Sequence, residues 1–393
     1  MASLWRLTRR ARRGVATVAE TLPDAADVVV LGGGHNGLVA AAYLARAGLS
    51  VCVLERRHVM GGAAVTEELQ PGFRYSRASY LAGLLRPPVV SDLQLERHGL
   101  RYLVRDPSSF TPSLPGSRHR GKSLLLHSDT GETQRSIAQF SKSDADAYPA
   151  YEAFLGSVRQ IVNPLIDGPP IDFASTSGRW RERLGMAHQA VAAATAAAQQ
   201  PAGTVASLME LFAAPAEHIL DRWFESDILK ATLATDAVIG ALLSPRTPGS
   251  GYVLLHHVMG EVAGRPGVWA YVQGGMGALS ASIARAATSA GAKLHTGTEV
   301  DHILVNDAGS AVQGVQLTDG RTVRAPVVLS NATPHTTFLQ LLGDGVLPDS
   351  FRRHIQHVDY SCVQDQPGAV ETATIYLHAG HWARATAPGH GAL

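Results

Sequence analysis

Cysteine is nearly absent from this chain: Cys52 and Cys362 are the only two in 393 residues, and no C-x-x-C occurs. Thiol–disulfide exchange has no residues to run on, and Cys52, inside an apolar run, reads as a small core residue. Metal-ligand spacing is missing too. His256 and His257 are adjacent, and His378 and His381 fall in a stretch with no periodicity, so no metal is expected. No uninterrupted apolar run approaches the roughly 20 residues of a membrane span, so no span is expected. Net charge is only +1, and no basic stripe with interleaved aromatics appears. That argues against a nucleic-acid partner.

The small net charge hides an uneven distribution. Arg6, Arg9, Arg10, Arg12 and Arg13 crowd the first 19 residues, which contain no acid. Taking those five arginines away leaves more acid than base. At about 100° per residue, Leu4, Leu7, Ala11, Val15 and Val18 fall on one narrow arc with the arginines opposite. Trp5 alone strays from the apolar side. An Arg-rich, acid-free amphipathic start has the make-up of a mitochondrial transit peptide, and a secretory signal would need a longer apolar core. Residues 1–19 are therefore expected to be a presequence that directs the chain to mitochondria.

The most informative stretch runs from Val28 to Glu55. Val28, Val29 and Val30 form a β-branched run that ends in Gly32-Gly33-Gly34-His35-Asn36-Gly37, which satisfies G-x-G-x-x-G. An alanine-rich segment comes next, then a second apolar run from Val51 to Leu54, closed by Glu55. Strand, glycine turn, helix, strand and acid in this register specify a dinucleotide-binding unit. Gly32 suits the tight turn, Gly34 the approach of a pyrophosphate, and Gly37 close packing of helix on strand. Ala41 adds a small residue on the same helix face. The helix N-terminus offers free N–H groups and partial positive charge to a diphosphate, while Glu55 stands where an acid accepts ribose hydroxyls.

The residues after Glu55 narrow the choice of dinucleotide. Arg56, Arg57, the pair Gly61-Gly62, Ala63 and Thr66 extend the motif. This pattern resembles the fingerprint of the FAD-dependent amine oxidase and phytoene desaturase group of flavoproteins. The resemblance implies FAD as cofactor, Glu55 on its ribose, and Arg57 with Gly61-Gly62 along the diphosphate and flavin side. A glycine pair lets backbone amides close on a planar group, and an arginine fork suits phosphate oxygens. A nicotinamide-dependent dehydrogenase is disfavoured, since a simple NAD domain requires neither Arg57 nor Gly61-Gly62. Gly72-Phe-Arg-Tyr75 resembles the segment that runs toward the flavin in this group, though Ser76 and Ala78 stand where the desaturases have an acid and a glycine.

A second stretch fits the same group. Gln273-Gly-Gly-Met-Gly-Ala-Leu279 leads into an alanine-rich helical run ending near Gly291. Strand-like runs come after it at 293–296, 300–305, 312–317 and 327–332, with Thr318-Asp-Gly-Arg321 as a hairpin turn. The resemblance implies that this segment returns to the nucleotide domain and that Val300 contacts adenine through its backbone. The expected fold is α/β, a Rossmann-like FAD-binding domain interrupted by an α+β substrate domain. The first FAD-binding part is assigned to 27–140, the substrate insertion to 141–270, the second FAD-binding part to 271–335, and the start of a substrate-domain return to 336–360. Residues 361–393 read as an irregular tail in which only Thr374–Leu377 suits a strand. The third, C-terminal FAD-binding segment of the group is expected to be missing from this chain.

In the insertion, the run from Ala187 to Gln200 should be helical, and the resemblance makes Tyr252, His256, His257, Trp269 and Tyr271 candidates to line a cavity. No catalytic acid or base is singled out, because a flavin carries most of the chemistry itself. Two functional expectations stand. One is an FAD-dependent mitochondrial oxidoreductase taking a hydride from an unidentified, apolar small-molecule substrate. The other is a catalytically silent nucleotide-binding or interaction protein, for which a relative in the group implies cytochrome c oxidase subunit 5B as a partner.

Overall fold

The computed structural model describes residues 21–168, 180–240 and 243–358. The transit-peptide expectation for 1–19, Pro169-Pro170, Cys362, His378, His381 and the tail at 361–393 lie outside the described residues. The chain forms two compact units. One gathers the residues up to Tyr80, Ser91–Leu100 and Gly274–Val358; the other holds Leu81–Val90 and Arg101–Gln273.

In the first unit, β1 (Val28–Leu31) is followed by α1 (His35–Arg46), β2 (Val51–Leu54), and a hairpin of β3 (Thr66–Gln70) and β4 (Phe73–Ser76). After the excursion into the second unit come α2 (Met276–Ser289), β5 (Lys293–His295), β6 (Val300–Val305), β7 (Val312–Leu317), β8 (Thr322–Arg324) and β9 (Val327–Ser330). A four-stranded parallel sheet has the order β5-β2-β1-β9, with Val28 opposite both Val51 and Val327. All eight residues of β1 and β2 are buried, which is why both read as unbroken apolar runs. Side chains alternate across the sheet. Val29, Leu31, Cys52 and Leu54 share a core with Ile303, Val315, Leu317 and Val323 of the antiparallel β6-β7-β8 sheet. On the opposite face Val30 meets α1, and α1 packs against α2. The strand expected over 327–332 ends at Ser330, because Asn331 turns inward against the glycine turn.

The second unit is built on a long helix, Lys142–Ile166, whose N-cap Ser141 accepts from the Asp144 amide at 3.0 Å. The hairpin of Ser109–Pro112 with Ser123–Leu126 brings Leu124 and Leu126 onto this helix, where they share a core with Ile137, Tyr148, Tyr151, Phe224 and Leu254. Residues 101–140, expected from sequence in the nucleotide-binding part, therefore cluster in this unit; their apolar partners lie beyond position 140, out of reach of local pattern. The alanine-rich run is helical, within Trp180–Ala198. Among the described residues no helix is long and apolar enough to cross a membrane.

Candidate cofactor site

The glycine turn is shaped by close approach. A Cβ on Gly37 would sit 2.5 Å from the Gly32 carbonyl oxygen and 3.2 Å from Val30 Cγ1, so α1 can lie on β1 only with glycine there. A Cβ on Gly34 would sit 2.5 Å from Asn331 Nδ2. The Gly32 amide donates to the Leu54 carbonyl at 2.8 Å, tying the turn to the end of β2. The helix then begins with Gly34 as its N-cap, which has no side chain to offer, and with no acid in the first turn. Its first internal hydrogen bond runs from the Leu38 amide to the Gly34 carbonyl, 2.9 Å. The amides of His35, Asn36 and Gly37 are thus left without helical partners, and no side chain caps them. Burial holds the His35 imidazole below its usual pKa, so this end of the helix stays free of added charge at neutral pH.

Glu55 closes β2 and is buried, 6% exposed. Its two carboxylate oxygens divide their work: Oε2 accepts from the Gly33 amide and Oε1 from the Arg57 amide, each at 2.8 Å. A carboxylate has about four acceptor positions, so capacity remains for hydroxyl donors. The loop after Glu55 folds back on the glycine turn. The Gly61 amide donates to the Gly33 carbonyl at 2.7 Å, and a Cβ on Gly62, which has φ +59°, would lie 3.0 Å from the Gly34 Cα. The two glycine segments lie backbone against backbone. Arg57 donates to the Gly62 carbonyl at 2.9 Å and to Glu67 at 3.1 Å. Arg56 and Ala63 are exposed. Val300 opens β6, and the segment just before it runs beside Glu55: the Thr298 amide donates to the Glu55 carbonyl and the Gly297 amide to that of Arg57, both at 2.9 Å.

Three neighbours of this site were not signalled by the sequence. Asn331 lies some 300 positions from the turn it abuts. Met60 covers Gly33 so closely that a Cβ there would meet its sulfur at 2.2 Å. Glu67 receives both Arg57 and Arg77. Long-range contacts of this kind leave no local period or spacing to read.

The second glycine-led helix, α2, is different. Its Met276 amide donates to Ser76 Oγ at 3.0 Å and its Gly277 amide to Thr66 Oγ1 at 2.9 Å. Ser280 Oγ donates to the Ala64 carbonyl at 2.7 Å. The first-turn amides of α2 that would face an anion are taken by hydroxyls.

In the second unit the expected cavity residues are engaged with each other. Tyr252 stacks on Phe212, His257 stacks on Trp269, and the His257 Nδ1 lies 2.8 Å from the Val253 carbonyl. A cavity of about 270 Å³ in this unit is lined by other residues, among them Ser113, His119, Phe140 and Asp227.

An elongated anion with a ribose fits the first unit. Uncapped amides at α1, a Gly61-Gly62 turn laid against the Gly33-Gly34 backbone, and a buried acid with spare acceptor capacity sit in one place. Residues 37–364 match the family described as flavin containing amine oxidoreductase. The chain belongs to that family. Its cofactor is FAD, and the fold is the oxidoreductase α/β fold of the group. A rat relative, pyridine nucleotide-disulfide oxidoreductase domain-containing protein 2, is 52% identical over 85% of this chain. The chain spans 58% of that relative's length. A limonene dehydrogenase component from Castellaniella defragrans is 31% identical over 79% of this chain and 52% of its own. A solved putrescine oxidase variant superposes with a TM-score of 0.50 at 17% identity, covering 85% of this chain and 63% of the other, a likeness of fold.

Proposed function

We propose that this flavin-family chain carries the FAD-binding part of a mitochondrial oxidoreductase that takes a hydride from a C–H group of an apolar small molecule, so that a C–C or C–N single bond becomes a double bond and the second hydrogen leaves as a proton. The observation that carries the reading is the uncapped first turn of α1 set beside buried Glu55 and the Gly61-Gly62 turn. The amides of His35, Asn36 and Gly37 hold the diphosphate, Glu55 accepts ribose hydroxyls, and Val300 contacts the adenine, a role supported by the bonding of Gly297 and Thr298 beside Glu55. FAD, when bound, supplies the two-electron acceptor for the substrate. The chain's own part is to bind and orient, and none of its residues is assigned as an acid or base. An apolar substrate is supported by the relative named for limonene, a hydrocarbon. The mitochondrial location is supported by the five arginines and absent acids of residues 1–19.

The test is the visible absorption spectrum of the purified chain. Flavin bands near one FAD per chain support the reading and open a substrate screen by flavin bleaching. A folded, colourless protein that takes up no added FAD contradicts it and leaves the interaction role, with no redox chemistry, in its place.

A further inference from the structure

We propose that Glu67 is a positioning residue for the cofactor turn: by bridging Arg57 and Arg77 it locks Arg57 onto the Gly62 carbonyl and so fixes how Gly61-Gly62 lies on Gly34. The inference rests on the reading that FAD is held at this turn. One carboxylate oxygen, Glu67 Oε2, takes Arg57 Nη2 at 3.1 Å and Arg77 Nη1 at 3.2 Å. Arg57 Nη1 donates meanwhile to the Gly62 carbonyl at 2.9 Å. The guanidinium is a rigid fork, so fixing one arm on Glu67 aims the other at Gly62. Glu67 is delivered by β3, opposite Tyr75 of β4, and Arg77 comes directly after β4 with its amide bonded to the Val65 carbonyl. The hairpin therefore carries both the acid and the second cation, and the loop carries the first.

Exposure separates the three side chains. Glu67 is 18% exposed, Arg57 31% and Arg77 53%, so the acid is the shielded centre of the cluster. Without its charge, two guanidinium groups that share one oxygen would be left side by side and repel. Arg57 would leave Gly62, and the turn would lose the side-chain donor that holds its carbonyl. This role has a distinctive sign. On charge alone, neutralising an acid near a diphosphate should tighten FAD binding; if Glu67 positions the turn, neutralising it should weaken binding.

The experiment compares the full chain with its Glu67→Gln variant in two readouts. The first, on flavin-free protein, is amide hydrogen exchange at Gly61, whose N–H is bonded to the Gly33 carbonyl. The second is an FAD titration. We expect Glu67→Gln to speed Gly61 exchange and to weaken FAD binding by about tenfold, in line with losing one hydrogen bond to a charged group. The thermal midpoint should stay close to that of the parent, which separates positioning from a general loss of stability. Arg57→Lys should behave in the same way, since an ammonium cannot fork between Glu67 and Gly62. Unchanged Gly61 exchange, or FAD bound as tightly or more tightly, overturns the proposal. Should Glu67→Gln fail to fold, Arg57→Lys carries the same test, since it keeps the positive charge and loses only the fork between Glu67 and Gly62. If the parent chain takes up no FAD, the functional reading fails, and Gly61 exchange still decides whether Glu67 sets the turn.

Discussion

Two helices of the nucleotide unit begin alike in sequence and end in different chemical states. Each comes after a glycine turn, each is rich in alanine, and they pack on one another. At α2 the hydroxyls of Ser76 and Thr66 occupy the Met276 and Gly277 amides. Both helices have a glycine N-cap and no acid in the first turn, but at α1 the amides of His35 to Gly37 are uncapped. The glycines alone therefore do not make an anion site. The difference between the two ends is whether the fold supplies side-chain oxygens to the first turn, and of the two only α1 goes without them.

The largest disturbance should come from Gly37→Val. Its added carbon would be forced into the Gly32 carbonyl and Val30, both fixed by the sheet. A loss of about 3–5 kcal/mol is expected, read as collapse of the unfolding midpoint together with flavin binding. Next is Glu55→Ala, which strips the acceptor from two amides, one of them the buried Gly33 N–H. Urea unfolding should show a cost of about 2–3 kcal/mol, with FAD uptake reduced beyond what lost stability explains.

Thr66→Val sharpens the contrast from the other side. The Gly277 amide loses its cap, and stability should fall by about 1 kcal/mol. FAD affinity should stay within about twofold, because this end of the unit serves the fold alone. A large drop in FAD affinity would show that α2 also faces the cofactor.

The smallest effect concerns pH. Burial lowers the His35 pKa below 6.5 in the folded chain, so the unfolded chain binds the proton more readily. Stability from this residue is complete above pH 6.5 and is lost as pH falls from there toward the folded value. Flavin-free His35→Gln protein should lack that acid-side decline between pH 7 and pH 5. An identical pH profile for parent and variant would contradict the assignment.

The first βαβ unit was readable because every link in it is local. Four apolar residues, a glycine turn, an alanine-rich helix and a second apolar run succeed one another without a long excursion, and Glu55 lies at the end of the second strand. The helix from Met276 and the strands after it were equally legible. The features that escaped are those set by distant chain. Asn331 reaches the turn only because β9 pairs with β1. The hydroxyl caps on α2 come from β3 and β4, some 200 residues earlier. Nearer in the chain, the guanidinium of Arg57, the residue expected along the phosphate, donates to Gly62 and Glu67, and nothing in the sequence signals Glu67 as its partner. Residues 101–140, assigned from sequence to the first FAD-binding part, group by contact with the second unit, where their apolar face finds partners at Tyr148, Phe224 and Leu254.

The central claim is that the first turn of α1 is the seat of the FAD diphosphate and that α2 is not. The measurement that bears on it most directly is amide hydrogen exchange of the full chain with and without FAD, resolved at His35, Asn36 and Gly37 and at Met276 and Gly277. FAD should slow exchange at the three α1 amides by about an order of magnitude or more while leaving the two α2 amides as they were. Equal protection at both helix ends, or none at α1 in a protein that binds FAD, would contradict the account.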